Sequence, residues 1–86
     1  MHEKELKAFA ELAYALAVAR QKHPVYARNA EDAWDVIEDE LIELHSAVYN
    51  ESEERQHEEA IDVAVTALRF ILKEHIKDVD KMGESG

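Results

Sequence analysis

The sequence predicts an all-α fold with three main helices in one domain, and three observations support this prediction. Helix-breaking residues are scarce, since both glycines lie within the last four residues and Pro24 is the only proline. Apolar residues recur every three or four positions, which is the spacing of helices that bury one face. The chain of 86 residues is 47 % hydrophobic, which supplies enough apolar material for one core but leaves little room for a second.

The first helix is predicted over residues 3–22. Its apolar face consists of Leu6, Phe9, Ala13, Leu16 and Ala17. Other alanines on this helix favour helical geometry and allow close packing. Pro24 disfavours helical geometry at the residue before it, so the helix is expected to end there.

The second helix is predicted over residues 30–49, after Asn29. Asparagine is a favourable N-cap, and Asp32 follows it three positions later as a short-armed capping box. The apolar stripe of this helix consists of Trp34, Ile37, Leu41, Leu44 and Val48. Its alternating spacing of three and four residues is typical of a helix-packing seam.

The third helix is predicted over residues 53–79, with Ser52 as its N-cap. Its apolar stripe consists of Ile61, Ala64, Val65, Leu68, Leu72, His75, Ile76 and Val79. At 1.5 Å per residue this helix is about 10 Å longer than the second, so its last turns overhang unless it breaks. We therefore expect a second copy of the chain to cover the overhang in a homodimer or homotetramer of four-helix-bundle type. The domain is assigned to residues 1–79 and a frayed tail to residues 80–86.

Composition and charge exclude several classes of function. A net charge of −10 argues against binding to a nucleic-acid polymer or an anionic membrane, because both need clustered Lys and Arg. The absence of cysteine excludes disulfides, thiolate metal sites and a cysteine nucleophile. No apolar run is long enough to span a membrane, and the first residues do not resemble a signal peptide. These features favour a cytoplasmic protein.

Two pairs of carboxylates indicate a metal site. Glu40 and Glu43 lie three residues apart on the second helix, and Glu59 and Asp62 have the same spacing on the third. If the two helices pack antiparallel, both pairs lie at a similar height above the turn and their four carboxylates converge. Such a cluster needs a cation to offset its repulsion, and oxygen-only ligation favours Mg²⁺, with Mn²⁺ second. Because Mg²⁺ commonly shares its shell with phosphate oxygens, a nucleotide substrate is expected.

Positive charge follows on the same flank of the third helix. Arg69 and Lys73 lie beyond Asp62, where they are predicted to contact the outer oxygens of a polyphosphate. A solvated helix face remains the alternative for both residues, because basic residues are common in the last turns of helices.

The carboxylate pattern resembles the signature of the MazG-like, all-α nucleoside triphosphate pyrophosphohydrolases. The motif Glu40-x-x-Glu43, fifteen residues and then Glu59-x-x-Asp62 carries the resemblance, which extends over roughly residues 28 to 72. By this resemblance the four acidic residues bind Mg²⁺ in a dimer or tetramer that cleaves a nucleoside triphosphate to the monophosphate and pyrophosphate. The implied reaction is attack by a metal-activated water at the α-phosphorus.

The sequence also departs from the family. Many members have Glu where this chain has Asp39, and glycine where it has Ile42 and Ile61. These changes affect the expected substrate more than the metal. Trp34 and Asn29 are predicted to contribute to base and sugar selection, and Tyr26 and His23 are further candidates. A packing role for Trp34 remains an alternative, since it opens the apolar seam.

Two other functions remain open at this stage. One is a non-catalytic acidic helical bundle that dimerises or binds a partner helix, its charge serving solubility. The other is a protein that binds a divalent cation without turnover.

Overall fold

The computed structural model describes residues 2–76 and contains three α-helices. They are α1 (Glu3–Lys22), α2 (Ala30–Asn50) and α3 (Glu53–Ile71), and residues 2–76 contain no strand. The all-helical fold class and its three helices are therefore confirmed. None of these helices is both long and apolar enough to cross a membrane.

Helices α2 and α3 begin where their predicted capping residues place them. The Asn29 side chain accepts a hydrogen bond from the Asp32 amide at 2.9 Å, and Ser52 Oγ accepts one from the Arg55 amide at 3.2 Å. His2 caps α1, where its ring accepts from the Lys4 amide and the Glu5 carboxylate accepts from the His2 amide. Each helix thus has a partner for backbone donors that its first turn leaves free.

The third helix lies between the other two. A two-residue connection at Glu51 and Ser52 joins α2 to α3, and the two helices pack along their length. Helix α1 also packs against α3, whereas within residues 2–76 no Cα atom of α1 lies within 8 Å of one in α2. Helix α3 therefore carries the contacts that hold the described part of the chain together.

The prediction that the third helix continues to Val79 is wrong. The helix ends at Ile71, and Lys73 takes a left-handed backbone conformation with φ of 62°. Glu74 then turns back, so that its carboxylate accepts a hydrogen bond from Arg69 Nε at 2.6 Å. His75 stacks on Phe70 with 4.4 Å between ring centroids. These local contacts stabilise a turn in place of further helix, so the expected overhang is absent as far as residue 76.

Two sets of residues with a spacing of seven define different faces of α2. Ala33 and Ala47 are fully buried, and Glu40 lies midway between them, seven residues from each. Trp34, Leu41 and Val48 have the same spacing but lie one residue further along, and each is exposed. Since seven residues make nearly two turns, each set shares one face. The face packed against α3 is therefore the one that contains Glu40, and much of the predicted apolar stripe is exposed.

The buried core is small. Its central cluster consists of Tyr26, Ala27 and Ala33, against which Val36 and Phe70 pack. No residue of α1 is buried, and Leu6 and Phe9 are both more than half exposed. The predicted end of the domain at residue 79 and the predicted tail at residues 80–86 lie outside the described residues.

Candidate metal centre

Three of the four predicted carboxylates meet between α2 and α3. Oxygen atoms of Glu40, Glu43 and Glu59 all lie within 4.8 Å of one another. Glu40 and Glu43 come from α2, and Glu59 faces them from α3. The alanines two turns either side of Glu40 have small side chains, so α3 can approach closely enough for Glu59 to reach the pair.

Burial distinguishes Glu59 from an ordinary surface carboxylate. This residue is only 5 % exposed. Within residues 2–76, its Oε1 atom and the Oε1 atom of Glu40 are buried and have no hydrogen-bond partner. A buried polar atom without a partner is costly, and a bound cation would supply one.

Burial and like charge act together on the carboxyl groups of this site. Burial, followed by the negative charge of Glu43, raises the pKa of Glu40 to about 7. Burial, followed by the charge of Glu59, also raises the pKa of Glu43 and that of Asp62. The cluster therefore holds protons more tightly than separate carboxylates would.

Asp62 lies beside the other three carboxylates without joining their close cluster. It follows Glu59 by three residues, and its charge contributes to the raised pKa values of Glu40 and Glu43. The charges of Arg55 and Lys22 act in the opposite direction on the pKa of Asp62. Asp62 thus lies within electrostatic range of the cluster, with the end of α1 also near it.

Arg55 is a part of the site that the sequence analysis did not include. Its Nη2 atom donates to Glu59 Oε2, and its Nη1 atom donates to Glu58. Its Nε atom donates to Glu51 at 3.2 Å. The signal was present in the sequence, because Arg55 precedes Glu59 by four residues and Glu58 by three, which are the spacings of helical ion pairs.

The donor set fits a hard divalent cation. Glu40, Glu43 and Glu59 offer only oxygen atoms, which are the preferred ligands of Mg²⁺ and Mn²⁺. Mg²⁺ binds oxygen at about 2.0–2.1 Å, so small side-chain rotations or intervening waters would complete its shell.

A groove of about 880 Å³ opens beside the cluster, between α1 and α3. Glu40 and Asp62 form part of its wall, so the groove and the carboxylates are continuous. Its other polar and aromatic lining residues are Glu11, Tyr14, Lys22, His23, Tyr26, Glu58, Thr66 and Arg69. Pockets of this size hold small organic ligands. Tyr14 and Lys22 acquire their positions at the groove only through the packing of α1, which the sequence alone does not fix.

The structure gives the two predicted phosphate contacts different surroundings. Arg69 is 4 % exposed, and its Nη2 atom donates to the His23 carbonyl at 3.0 Å. Its guanidinium group lies 4.9 Å from the centre of the Tyr26 ring. Arg69 borders the groove but is engaged in contacts within the chain, whereas Lys73 is exposed in the turn after α3.

The two residues predicted for base and sugar selection lie outside the groove lining. Trp34 is 52 % exposed on the face of α2 shared with Leu41 and Val48. Asn29 is engaged as the N-cap of α2. The further candidates His23 and Tyr26 do line the groove.

Comparisons of the chain with protein-family models, with curated proteins and with solved structures find no match. The resemblance to the MazG-like enzymes therefore stays a prediction from the residues that carry it.

Proposed function

We propose that the chain is a Mg²⁺-dependent nucleoside triphosphate pyrophosphohydrolase of the MazG-like kind. The observation that carries this proposal is the cluster of Glu40, Glu43 and Glu59 at the edge of a groove of about 880 Å³. Glu59 is buried, and one oxygen of Glu59 and one of Glu40 are buried without a hydrogen-bond partner within residues 2–76. A structural ion-pair cluster would pair these oxygens with basic side chains, whereas a metal site leaves them available.

In the proposed reaction these carboxylates hold the metal and orient the attacking water. Glu40, Glu43 and Glu59 are ligands, and Asp62 completes the set from its position next to Glu40 at the groove. Bound Mg²⁺ supplies Lewis-acid stabilisation and lowers the pKa of a water molecule. The water oxygen forms a bond to the α-phosphorus while the bond to the bridging oxygen of pyrophosphate breaks. One of the carboxylates, or Glu38 or Asp39 outside the cluster, accepts the proton of the water.

The groove is the proposed position of the nucleoside. A triphosphate bound through the metal ion near Glu40 and Asp62 would extend between α1 and α3, where Tyr14 offers an aromatic surface and Tyr26 lines the wall. Lys22 provides a positive charge in the same groove for a phosphate oxygen. These contacts would select the base and the sugar, and a panel of nucleoside triphosphates would identify the preferred ones.

The proposed assembly is a homodimer or homotetramer that forms a four-helix-type bundle. The apolar stripe of Trp34, Leu41 and Val48 is exposed in the single chain, and a second copy would bury it. A cytoplasmic location and a lack of binding to nucleic-acid polymers belong to the same proposal, based on the acidic composition.

The exposed apolar stripe also favours a second candidate function. A helical bundle that only dimerises or binds a partner helix would bury the same surface without using the carboxylates. A protein that binds a divalent cation without turnover would use the carboxylates but not the groove.

Product analysis separates these functions. We expect incubation with Mg²⁺ and each nucleoside triphosphate to yield monophosphate and pyrophosphate, whereas diphosphate with inorganic phosphate would refute the proposed bond cleavage. Glu59→Gln should lower turnover at least about 100-fold, because it removes a charged ligand from the buried centre. Glu54→Gln is the matched control, since it makes the same change at an exposed position of α3. If the Glu59→Gln variant still turned over substrate, the assignment of Glu59 as a metal ligand would be wrong.

A further inference from the structure

We infer that Arg55 is a positioning residue of the metal centre, which fixes the Glu59 carboxylate so that one oxygen stays free for the cation. The inference rests on the proposed function for the identity of the bound ion. It assigns to Arg55 a task distinct from that of the four carboxylates.

The contacts of Glu59 divide its two oxygens between different tasks. Oε2 accepts a hydrogen bond from Arg55 Nη2, whereas Oε1 is buried and has no partner within residues 2–76. The side chain of Glu59 is 6 % exposed, so with Arg55 in place water has little access to its oxygens. A residue that donates to the second oxygen of a ligating carboxylate sets the orientation of the first.

Arg55 is itself held in place on three sides. Besides Glu59, it contacts Glu58 on α3 and Glu51 in the connection from α2. A planar guanidinium group with donors in fixed directions can make these contacts together, and a flexible ammonium group cannot reproduce all of them. The group that orients Glu59 is therefore anchored to α3 and to the connection that follows α2.

Arg55 could in principle compete with the cation, since both are positive. Two features argue for positioning. Arg55 uses Oε2 and leaves Oε1 free, so the two cations do not need the same atom. The side chain of Arg55 is also 48 % exposed, so solvent screens its repulsion of a metal ion, whereas its hydrogen bond to Glu59 restrains a carboxylate that is almost fully buried.

Many ion pairs on helices only stabilise the helix. The test therefore measures metal affinity, which a purely structural ion pair would not change. Titration of the full chain with Mn²⁺ alone gives the binding constant directly, and circular dichroism gives helical content. We expect Arg55→Gln to weaken Mn²⁺ binding about 10- to 100-fold while the helical signal is kept. The affinity of Arg55→Lys for Mn²⁺ should lie between those of Arg55→Gln and the unsubstituted chain, because lysine keeps the charge but lacks the planar set of guanidinium donors.

Two substitutions serve as controls. Arg28→Gln removes another i,i+4 ion pair, with Asp32, remote in sequence from the carboxylates of the centre. Glu51→Gln removes the contact of Arg55 with the connection but keeps its contact with Glu59. We expect both to bind Mn²⁺ within about twofold of the unsubstituted chain, since exposed pairs contribute little.

The outcomes decide between the alternatives. The positioning role would be overturned if Arg55→Gln bound Mn²⁺ as tightly as Arg28→Gln does. Tighter binding by Arg55→Gln would also overturn it, and would indicate that Arg55 competes with the metal ion. If Arg55→Gln loses its helical signal, the Mn²⁺ affinity of Arg55→Lys is compared with that of the unsubstituted chain. An affinity lower by about threefold or more supports the positioning role, and an unchanged affinity overturns it. An unsubstituted chain that binds no Mn²⁺ would overturn both this inference and the proposed function. One that binds Mn²⁺ without hydrolysing nucleotides would overturn only the proposed activity, and the Arg55 series would still be decisive.

Discussion

Glu40 illustrates how the position of a single residue on a helix determines its chemistry. It lies on the α3-facing side of α2, midway between two fully buried alanines. Removal from water and the neighbouring carboxylates both favour its protonated form. The charged form of Glu40 therefore lowers the stability of the metal-free fold, at the position where the proposed cation would bind.

The raised pKa of Glu40 predicts how the metal-free chain responds to pH. The folded pKa is about 7 and the ordinary value is 4.5, so the folded state holds the extra proton between these values. The stability from protonated Glu40 is therefore fully present below pH 4.5 and is lost as pH rises through 7. With EDTA present, we expect a melting temperature at pH 8 about 4–8 °C below that at pH 5.5, taking about 1 kcal/mol after solvent screening.

A matched pair of variants assigns that pH response to Glu40. Glu40→Gln should melt higher than the unsubstituted chain at pH 8 and show a smaller fall with pH, because an amide carries no charge. Glu38→Gln, at an exposed position two residues away, should keep the original pH response. Melting temperatures that rise between pH 5.5 and pH 8 without metal would contradict the assignment. Added Mg²⁺ should reduce the fall in the unsubstituted chain, since it binds the deprotonated cluster.

At the scale of the helices, the end of α3 depends on a charged network rather than on a helix-breaking residue. The Glu74 carboxylate accepts hydrogen bonds from Arg69 and from Arg20 of α1. Arg69 also donates to the carbonyl of His23, between α1 and α2. This network ties the C-terminal end of α1 to α3 and the turn after it, which gives Arg69 a structural role whether or not it also contacts substrate.

Removal of the central carboxylate of that network should destabilise the fold. Glu74→Gln leaves the buried Arg69 without its charged partner, at an expected cost of about 1–3 kcal/mol. Glu31→Gln makes the same chemical change at an exposed position on α2 and should cost less than about 0.5 kcal/mol. Urea denaturation followed by circular dichroism measures both values. Equal midpoints for the two variants would show that the network contributes little.

At the scale of the whole molecule, many large apolar side chains of the described residues are exposed around a small core. Trp34, Leu41 and Val48 form one exposed stripe along α2, and the apolar residues near the start of α1 are also exposed. A single chain with few buried side chains has little hydrophobic stabilisation. Association through the α2 stripe would add to that stabilisation.

The α2 stripe predicts an oligomer that one charge can disrupt. We expect sedimentation equilibrium at micromolar concentration to give a mass of two or four chains, and Leu41→Glu to shift it towards one chain by burying an unpaired charge. Ser46→Glu adds the same charge on another exposed face of α2 and should leave the mass unchanged. A monomer for the unsubstituted chain would contradict the proposed assembly.

The sequence by itself determined the three helices, the N-caps of α2 and α3 and the pairing of carboxylates on these two helices. These features depend on interactions within a few residues: a side chain that accepts from a backbone amide, or two groups one turn apart. It did not predict the end of α3, because Lys73 and the turn after it are fixed by contacts of Glu74 and His75 with residues that a helical pattern does not reveal.

Only the tertiary structure decided which carboxylates meet and what surrounds them. It placed Glu40, Glu43 and Glu59 in one cluster and left Asp62 at the adjoining groove. It also added Arg55, which donates to Oε2 of Glu59 and leaves the buried Oε1 without a partner within residues 2–76. The physical reason is that helical periodicity gives the angle of each side chain about its own axis, but not the rotation and separation of two packed helices. In this chain the small residues on either side of Glu40 set that separation, and the proposed metal chemistry depends on it.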